Sequence, residues 1–324
     1  MKVNVFITRK IPKEGFKSLI EKGYNLKFYR DNIISRKELL QEVKAADVLC
    51  SMVTDKIDKE IIFANPKLKI IANYAVGFEN IDIKAASERK LPVTNTPDVL
   101  TQSTAEHTIA LMLSLARGIP EADRFTKSGK FVGWSPNIFL GSELKGKTLG
   151  IIGMGRIGKA VARIASEGLG MKILYFNKKE SSEVEKNSIE LSSLDKLLSN
   201  SDFISIHVSL NQSTMHLMDA EKLSLMKKGS YLINMSRGQA IDEKALVKAL
   251  KMKKISGAAL DVFEKEPKLS PGLNRLKNVI LTPHIGSATL EARKLMAETI
   301  SKNVVAVING EIPPNVINKK IYGR

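Results

Sequence analysis

Residues 149–158 read Leu149-Gly150-Ile151-Ile152-Gly153-Met154-Gly155-Arg156-Ile157-Gly158. An apolar strand over 148–153 runs into the spacing G-x-G-x-x-G, and a helical pattern follows over 159–169. In such a turn Gly153 permits the tight reversal, Gly155 lets the backbone approach a pyrophosphate, and Gly158 allows the helix to pack closely on the strand. The start of the helix adds N–H groups and partial positive charge that favour phosphate. The spacing alone is a weak signal. Set between a strand and a helix, it predicts a dinucleotide site built from Gly153, Met154, Gly155, Arg156, Ile157 and Gly158.

Working outward, further apolar strands are read at 172–176, 203–208, 230–235, 257–261 and 279–282. Six strands with helices between them make a domain of dinucleotide-binding size. Upstream, strands at 3–8, 24–29, 48–52, 69–74 and 92–94 alternate with helical patterns at 12–22, 35–45 (behind a Ser35 cap) and 81–88. This β-α order argues for a second parallel sheet with helices on both faces. A long helical stretch over 103–128 breaks near Gly118-Ile119-Pro120, and a loop over 131–142 carries Trp134. The last helix, 288–309, follows the cofactor domain and needs a surface to cover; the economical one belongs to the first domain. The expected fold is α/β, with two doubly wound parallel-sheet domains. A Rossmann cofactor domain, 100–287, is inserted in a discontinuous domain made of 1–99 and 288–324.

Composition narrows the function. The chain has 324 residues, 43% hydrophobic and 26% charged, which excludes a mainly disordered protein. Lys and Arg number 51 against 34 Asp and Glu, a net charge of +17. Such a balance suits nucleic acid, an anionic membrane or small anions. The lysines are scattered, in pairs such as Lys227-Lys228 and Lys253-Lys254, so a solvated basic surface is expected and no nucleic-acid partner. The longest apolar run, around 109–116, is well short of the ~20 residues of a spanning helix, and the N-terminal apolar stretch is too short for a secretory signal. Neither a membrane nor a metal is expected, because no Cys/His cluster has zinc spacing. The single cysteine, Cys50, reads as a buried thiol, which fits a reducing, cytoplasmic setting.

The end of the next strand bears on cofactor choice. An NAD site usually carries an acid there for the ribose 2′-hydroxyl. This strand ends Phe176-Asn177-Lys178-Lys179. Asn177 does not repel a 2′-phosphate and Lys178 can pair with it, so NADP(H) is the expected preference, with NAD(H) as the alternative.

Three polar residues follow strands of the cofactor domain: Arg237 in Asn234-Met235-Ser236-Arg237-Gly238, Glu266 in Asp261-Val262-Phe263-Glu264-Lys265-Glu266-Pro267, and His284 in Thr282-Pro283-His284-Ile285-Gly286. Ligands of open α/β sheets bind beyond the carboxyl ends of strands, so the three are expected to share a cleft. Their chemistry suits hydride transfer to a 2-oxo acid. Arg237 clamps the carboxylate and polarises the carbonyl. His284 exchanges a proton with the oxygen, and Glu266 orients the imidazole. Each alone also reads as an ordinary surface or loop residue. Of the other histidines, His107 reads as structural, His207 as a strand end near the cofactor and His216 as exposed.

Together with Asn73-Tyr74-Ala75-Val76-Gly77-Phe78-Glu79-Asn80-Ile81-Asp82, these motifs span the chain. They resemble the D-isomer-specific 2-hydroxyacid dehydrogenases, and within them the glyoxylate/hydroxypyruvate reductases. The resemblance implies a flavodoxin-like substrate domain. It implies that the amides of Val76 and Gly77 bind the substrate carboxylate with Arg237 and that Met52 walls the pocket. Met235, Ser236, Asp261, His284, Ile285, Gly286 and Phe176 are implied to line the cofactor, with Asp261 at the nicotinamide carboxamide. It also implies a homodimer, for which the helix from Ser103 and the Trp134 loop are candidate contacts. The chain departs from the family's pattern at Asn177, which lacks the common acid, and at Ser209, where proline is frequent. Other substrates of the same chemistry remain as alternatives. A phosphoglycerate enzyme wants basic side chains near 52–54, where none precedes Lys56; a hydroxyphenylpyruvate enzyme differs in pocket size. A further alternative is a cofactor-sensing corepressor on the same scaffold, separable by turnover.

Overall fold

A computed structural model describes residues 2–177 and 189–323; Lys178 lies outside them. The chain divides into two compact units, one of Met1–Leu100 with Ala288–Arg324, the other of Thr101–Ser287. Among the described residues the first unit holds strands β1 (Asn4–Ile7), β2 (Asn25–Phe28), β3 (Val48–Ser51), β4 (Ile70–Asn73) and β5 (Val93–Thr94). They pair in parallel in the order β2-β1-β3-β4-β5, the doubly wound order of flavodoxin-like sheets.

Both faces of this sheet are covered, which is why β3 and β4 are buried at every residue. Successive side chains point to opposite faces. Phe6, Leu49 and Ile71 meet Leu39, Val43, Ile61 and Ala85 on one side. Val5, Ile7, Cys50 and Ile70 meet Phe16, Leu19, Met296, Ile300 and Val304 on the other. The last three of these residues, Met296, Ile300 and Val304, are on the final helix, Leu290–Ile308, whose chain returns to the first unit to cover this face. The Ser35 cap forms as a reciprocal pair: its hydroxyl accepts from the Glu38 N–H at 3.3 Å and Glu38 accepts from the Ser35 N–H at 3.4 Å.

The second unit holds β6 (Thr148–Ile152), β7 (Lys172–Phe176), β8 (Ile189–Leu191), β9 (Phe203–Ile206), β10 (Tyr231–Asn234), β11 (Gly257–Leu260) and β12 (Val279–Leu281). Its parallel order is β12-β11-β10-β9-β6-β7-β8, so the chain reverses direction across the sheet between β6 and β9. The six-strand pattern omits β8, whose three residues, Ile189-Glu190-Leu191, are too few to display an alternation. Ile151 and Ile152 are chain neighbours yet belong to opposite cores. The first packs with Met112, Val161 and Tyr175, the second with Ile204, Leu232 and Leu246.

The helical stretch over 103–128 is two helices, Thr101–Arg117 and Ile119–Lys127. Gly118 separates them at φ 60°, a left-handed conformation that ends a helix. The helix after the glycine turn begins at Arg156, earlier than the apolar pattern places it. Among the described residues no helix is long and apolar enough to cross a membrane.

Candidate active site

The glycine turn sits where β6, β7 and β9 end together. The Gly153 N–H donates to the Phe176 carbonyl at 2.9 Å, and the His207 N–H to the Ile152 carbonyl at 2.8 Å. Gly153 has φ 99°, and a Cβ there would lie 2.7 Å from the His207 carbonyl oxygen. At Gly158 it would lie 2.3 Å from the Gly153 oxygen. Both glycines are therefore required by the protein's own packing. Gly155 is different: a Cβ there meets nothing within 4 Å, and its φ of −78° is open to any residue. Among the described residues nothing demands glycine there, and the space beside it is open. Among the described residues no side chain caps the helix Arg156–Arg163 that starts here. Open space next to a helix start suits a pyrophosphate. Asn177 stands one residue beyond β7, partly exposed.

The His207 ring is buried, with Nε2 2.5 Å from Ser205 Oγ. Burial pushes its pKa down to about 3, so this histidine stays neutral. His216 is partly exposed beside Glu264.

Arg237 leaves β10 through a turn organised by Asn234, a fully buried side chain. Asn234 Oδ1 accepts from the Ser236 N–H at 3.0 Å and from its hydroxyl at 2.8 Å, while Nδ2 donates to the Arg237 carbonyl at 2.9 Å. The Arg237 guanidinium donates to the Ser236 carbonyl at 2.8 Å. The next residue admits the loop after β11: a Cβ on Gly238 would fall 1.8 Å from the Phe263 carbonyl carbon. That loop is also fastened by Gln239 Nε2, which donates to the Glu264 carbonyl at 3.0 Å, and by the Glu264 N–H on Glu243 at 2.8 Å.

The structure brings Glu266 and His284 together. Glu266 Oε2 lies 3.1 Å from His284 Nδ1 and Oε1 accepts from the Phe263 N–H at 3.0 Å. Burial would raise the Glu266 carboxyl, but the hydrogen bond and charge of His284, the Phe263 N–H and the charge of Arg237 outweigh it and hold the group below the usual carboxylate range. With Nδ1 engaged, Nε2 is the nitrogen left to serve a substrate. The ring is about one-third exposed, as a group that must meet a ligand requires.

Asp261, almost fully buried, shapes the loop that presents this histidine. Its carboxylate accepts from the Thr282 hydroxyl at 2.6 Å and from the N–H groups of Ile285 and Gly286, each at 2.8 Å. Burial raises its carboxyl, yet His107, Thr282 and these two amides together hold it below the ordinary range. The His284 N–H donates to the Asp261 carbonyl at 2.9 Å, and His284 takes φ 56°, a conformation few non-glycine residues adopt. Met235 packs beside Gly286, its Cε 3.0 Å from where a Cβ would stand.

In the first unit, Met52 follows β3 and is nearly buried. Its N–H donates to Asp55 at 2.7 Å and its carbonyl accepts from Asn80 at 3.0 Å. Val76 and Gly77 follow β4; their carbonyls accept from Asn95 at 2.8 Å and Asn73 at 2.7 Å. Burial pushes the Asp55 carboxyl above the usual range despite the Thr8 hydroxyl, the Met52 N–H and the charge of Arg9. The roles of Asn234, Thr282, Asp55 and Asn80 escape a reading of motifs, because each bonds to backbone or side chains that only folding brings near. Their one sequence signal is a small polar residue beside a strand that is otherwise apolar.

The profile of the "D-isomer specific 2-hydroxyacid dehydrogenase, NAD binding domain" matches residues 109–286. A glyoxylate reductase of Thermococcus litoralis is 52% identical, covering 99% of this chain and 98% of that protein. One of Pyrococcus furiosus is 47% identical, covering 99% and 97%. Among solved structures, the NADPH-dependent glyoxylate/hydroxypyruvate reductase of Sinorhizobium meliloti, in complex with NADP and malonate, is similar. It superposes with a TM-score of 0.84 at 30% identity, covering 98% of this chain and 97% of that one.

Proposed function

Because this chain belongs to the D-isomer-specific 2-hydroxyacid dehydrogenases, we propose that it is a glyoxylate reductase, active also on hydroxypyruvate, that draws hydride from NADPH. The observation that carries the mechanism is the His284–Glu266 pair, set at strand ends within the charge of Arg237 and on the same sheet as the glycine turn.

A bound reduced nicotinamide nucleotide supplies the hydride. Gly153, Met154, Gly155, Arg156, Ile157 and Gly158 hold its phosphates, Phe176 and Asn177 its ribose side, and Met235, Ser236, Ile285 and Gly286 its nicotinamide half. Asp261 is assigned to the nicotinamide carboxamide by family resemblance. Arg237 binds the substrate carboxylate and draws density from the adjacent carbonyl. His284 delivers the Nε2 proton to the carbonyl oxygen as the carbon accepts hydride, and takes it back in the oxidative direction. Glu266 fixes the ring through its contact with Nδ1. Met52 and the amides of Val76 and Gly77 are assigned to the substrate by family resemblance.

The NADPH preference rests on Asn177 in place of an acid. Initial rates over glyoxylate, hydroxypyruvate and hydroxyphenylpyruvate, each with NADPH and NADH, test both parts. Glyoxylate with NADPH should have the largest kcat/KM, and Asn177→Asp should shift preference toward NADH. Equal or better efficiency with NADH would refute the cofactor assignment; a bulky aromatic 2-oxo acid as best substrate would refute the substrate assignment.

The reading includes a reducing, cytoplasmic setting and a homodimer. The loop after the helix Ile119–Lys127 exposes Val132, Trp134 and Leu140 at 98%, 85% and 77%, and covering them with a second copy removes that apolar surface from water. A monomer mass by equilibrium sedimentation would contradict the dimer.

A further inference from the structure

The loop that presents His284 is gripped from a second side. His107, on the helix Thr101–Arg117, brings Nε2 to 3.3 Å from Thr282 Oγ1 and 3.5 Å from Asp261 Oδ1. The Thr282 hydroxyl gives its proton to Asp261 at 2.6 Å, so toward His107 its oxygen is an acceptor and the ring must present Nε2–H. The sequence of donors His107 to Thr282 to Asp261 ends on the carboxylate that also accepts the Ile285 and Gly286 amides, directly beyond His284. Both ends of the chain are shielded, with the His107 side chain 19% exposed and Asp261 2%. Hydrogen bonds in such surroundings hold geometry strongly, and losing one leaves a buried acceptor short of its partner. The φ of 56° at His284 is sustained only while the surrounding bonds hold it.

We propose that His107 is a positioning residue for the proton donor: acting through Thr282 and Asp261, it fixes the 282–286 loop so that the His284 ring stays on Glu266 and its Nε2 stays on the substrate oxygen. This deepens the functional reading above and rests on it. The hydrogen-bonding partners of His107 are Thr282 and Asp261 and not the catalytic side chains, so its effect is expected in kcat rather than in KM for glyoxylate.

The test compares His107→Phe, His107→Gln, Thr282→Val and the His107→Phe/Thr282→Val double variant with the unaltered enzyme, using glyoxylate and NADPH. His107→Phe should lower kcat about 10- to 100-fold with KM for glyoxylate changed by less than about threefold. Glutamine carries an amide N–H to roughly the place of the imidazole Nε2, so His107→Gln should recover most of that loss. Thr282→Val breaks the same chain, and the double variant should be no worse than the worse single one. Unchanged kcat in a folded His107→Phe enzyme, or losses that add in the double variant, would overturn the proposal. If His107→Phe does not fold, a Thr282→Val enzyme with normal kcat overturns it. His284→Ala run alongside separates the two levels. An inactive His284→Ala with a fully active His107→Phe removes only the positioning role, whereas an active His284→Ala removes the functional reading with it.

Discussion

His284→Ala is expected to lower kcat for glyoxylate by about 10²–10⁴-fold, the usual range for a lost general acid, while the thermal midpoint moves by only a few degrees. The ring makes no core contact that its loss would empty: it is partly exposed and its polar partner is Glu266. Glu266 is held below the usual carboxylate range, so it stays charged at pH values where an ordinary carboxyl would take up a proton, and the ring keeps its partner there. Near-normal turnover by His284→Ala, measured by steady-state oxidation of NADPH, would sink the proton-transfer role.

Arg237→Ala should be comparably severe, lowering kcat/KM by about 10³-fold or more, because a paired charge and a planar pair of donors leave the substrate carboxylate at once. Arg237→Lys should fall between the two, retaining charge without the fork. The loss should be largest for acids: an aldehyde without a carboxylate loses only the polarisation of its carbonyl, so its slow reduction should fall much less than that of glyoxylate. Equal losses for both kinds of acceptor would show instead that the variant had disturbed the turn that Asn234 builds beneath Arg237.

What could be read from the amino-acid sequence follows from which forces leave a periodic mark. Strands buried on both faces are written as apolar runs, so β3, β4, β9 and β11 are legible. The glycine turn is legible because Gly153 and Gly158 answer to steric demands of the backbone, while Gly155 stands beside open space. Strand β8 is not, since three residues with a central glutamate carry no repeat. Arg237, Glu266 and His284 stand out as polar residues just past apolar strands. The residues that hold them do not. Asn234 looks like the end of a strand, Thr282 like its continuation, and His107 like one more residue of an amphipathic helix. Their importance arises from hydrogen bonds between segments as distant as positions 107, 261 and 282, and such pairings exist only after folding. Asp55 is a comparable case in the first unit. Its burial beneath Thr8 and Met52 is set by strand order, which brings residues far apart in the chain to one sheet end.

The central claim is direct hydride transfer from the nucleotide to the carbonyl carbon of a 2-oxo acid. Incubation with glyoxylate and NADPH deuterated on the transferring face of the nicotinamide, followed by mass analysis of the product, tests it most directly. The account predicts glycolate carrying one deuterium at its hydroxyl-bearing carbon for each nucleotide oxidised. Glycolate without the label, or nucleotide left unoxidised by the intact enzyme, would contradict it.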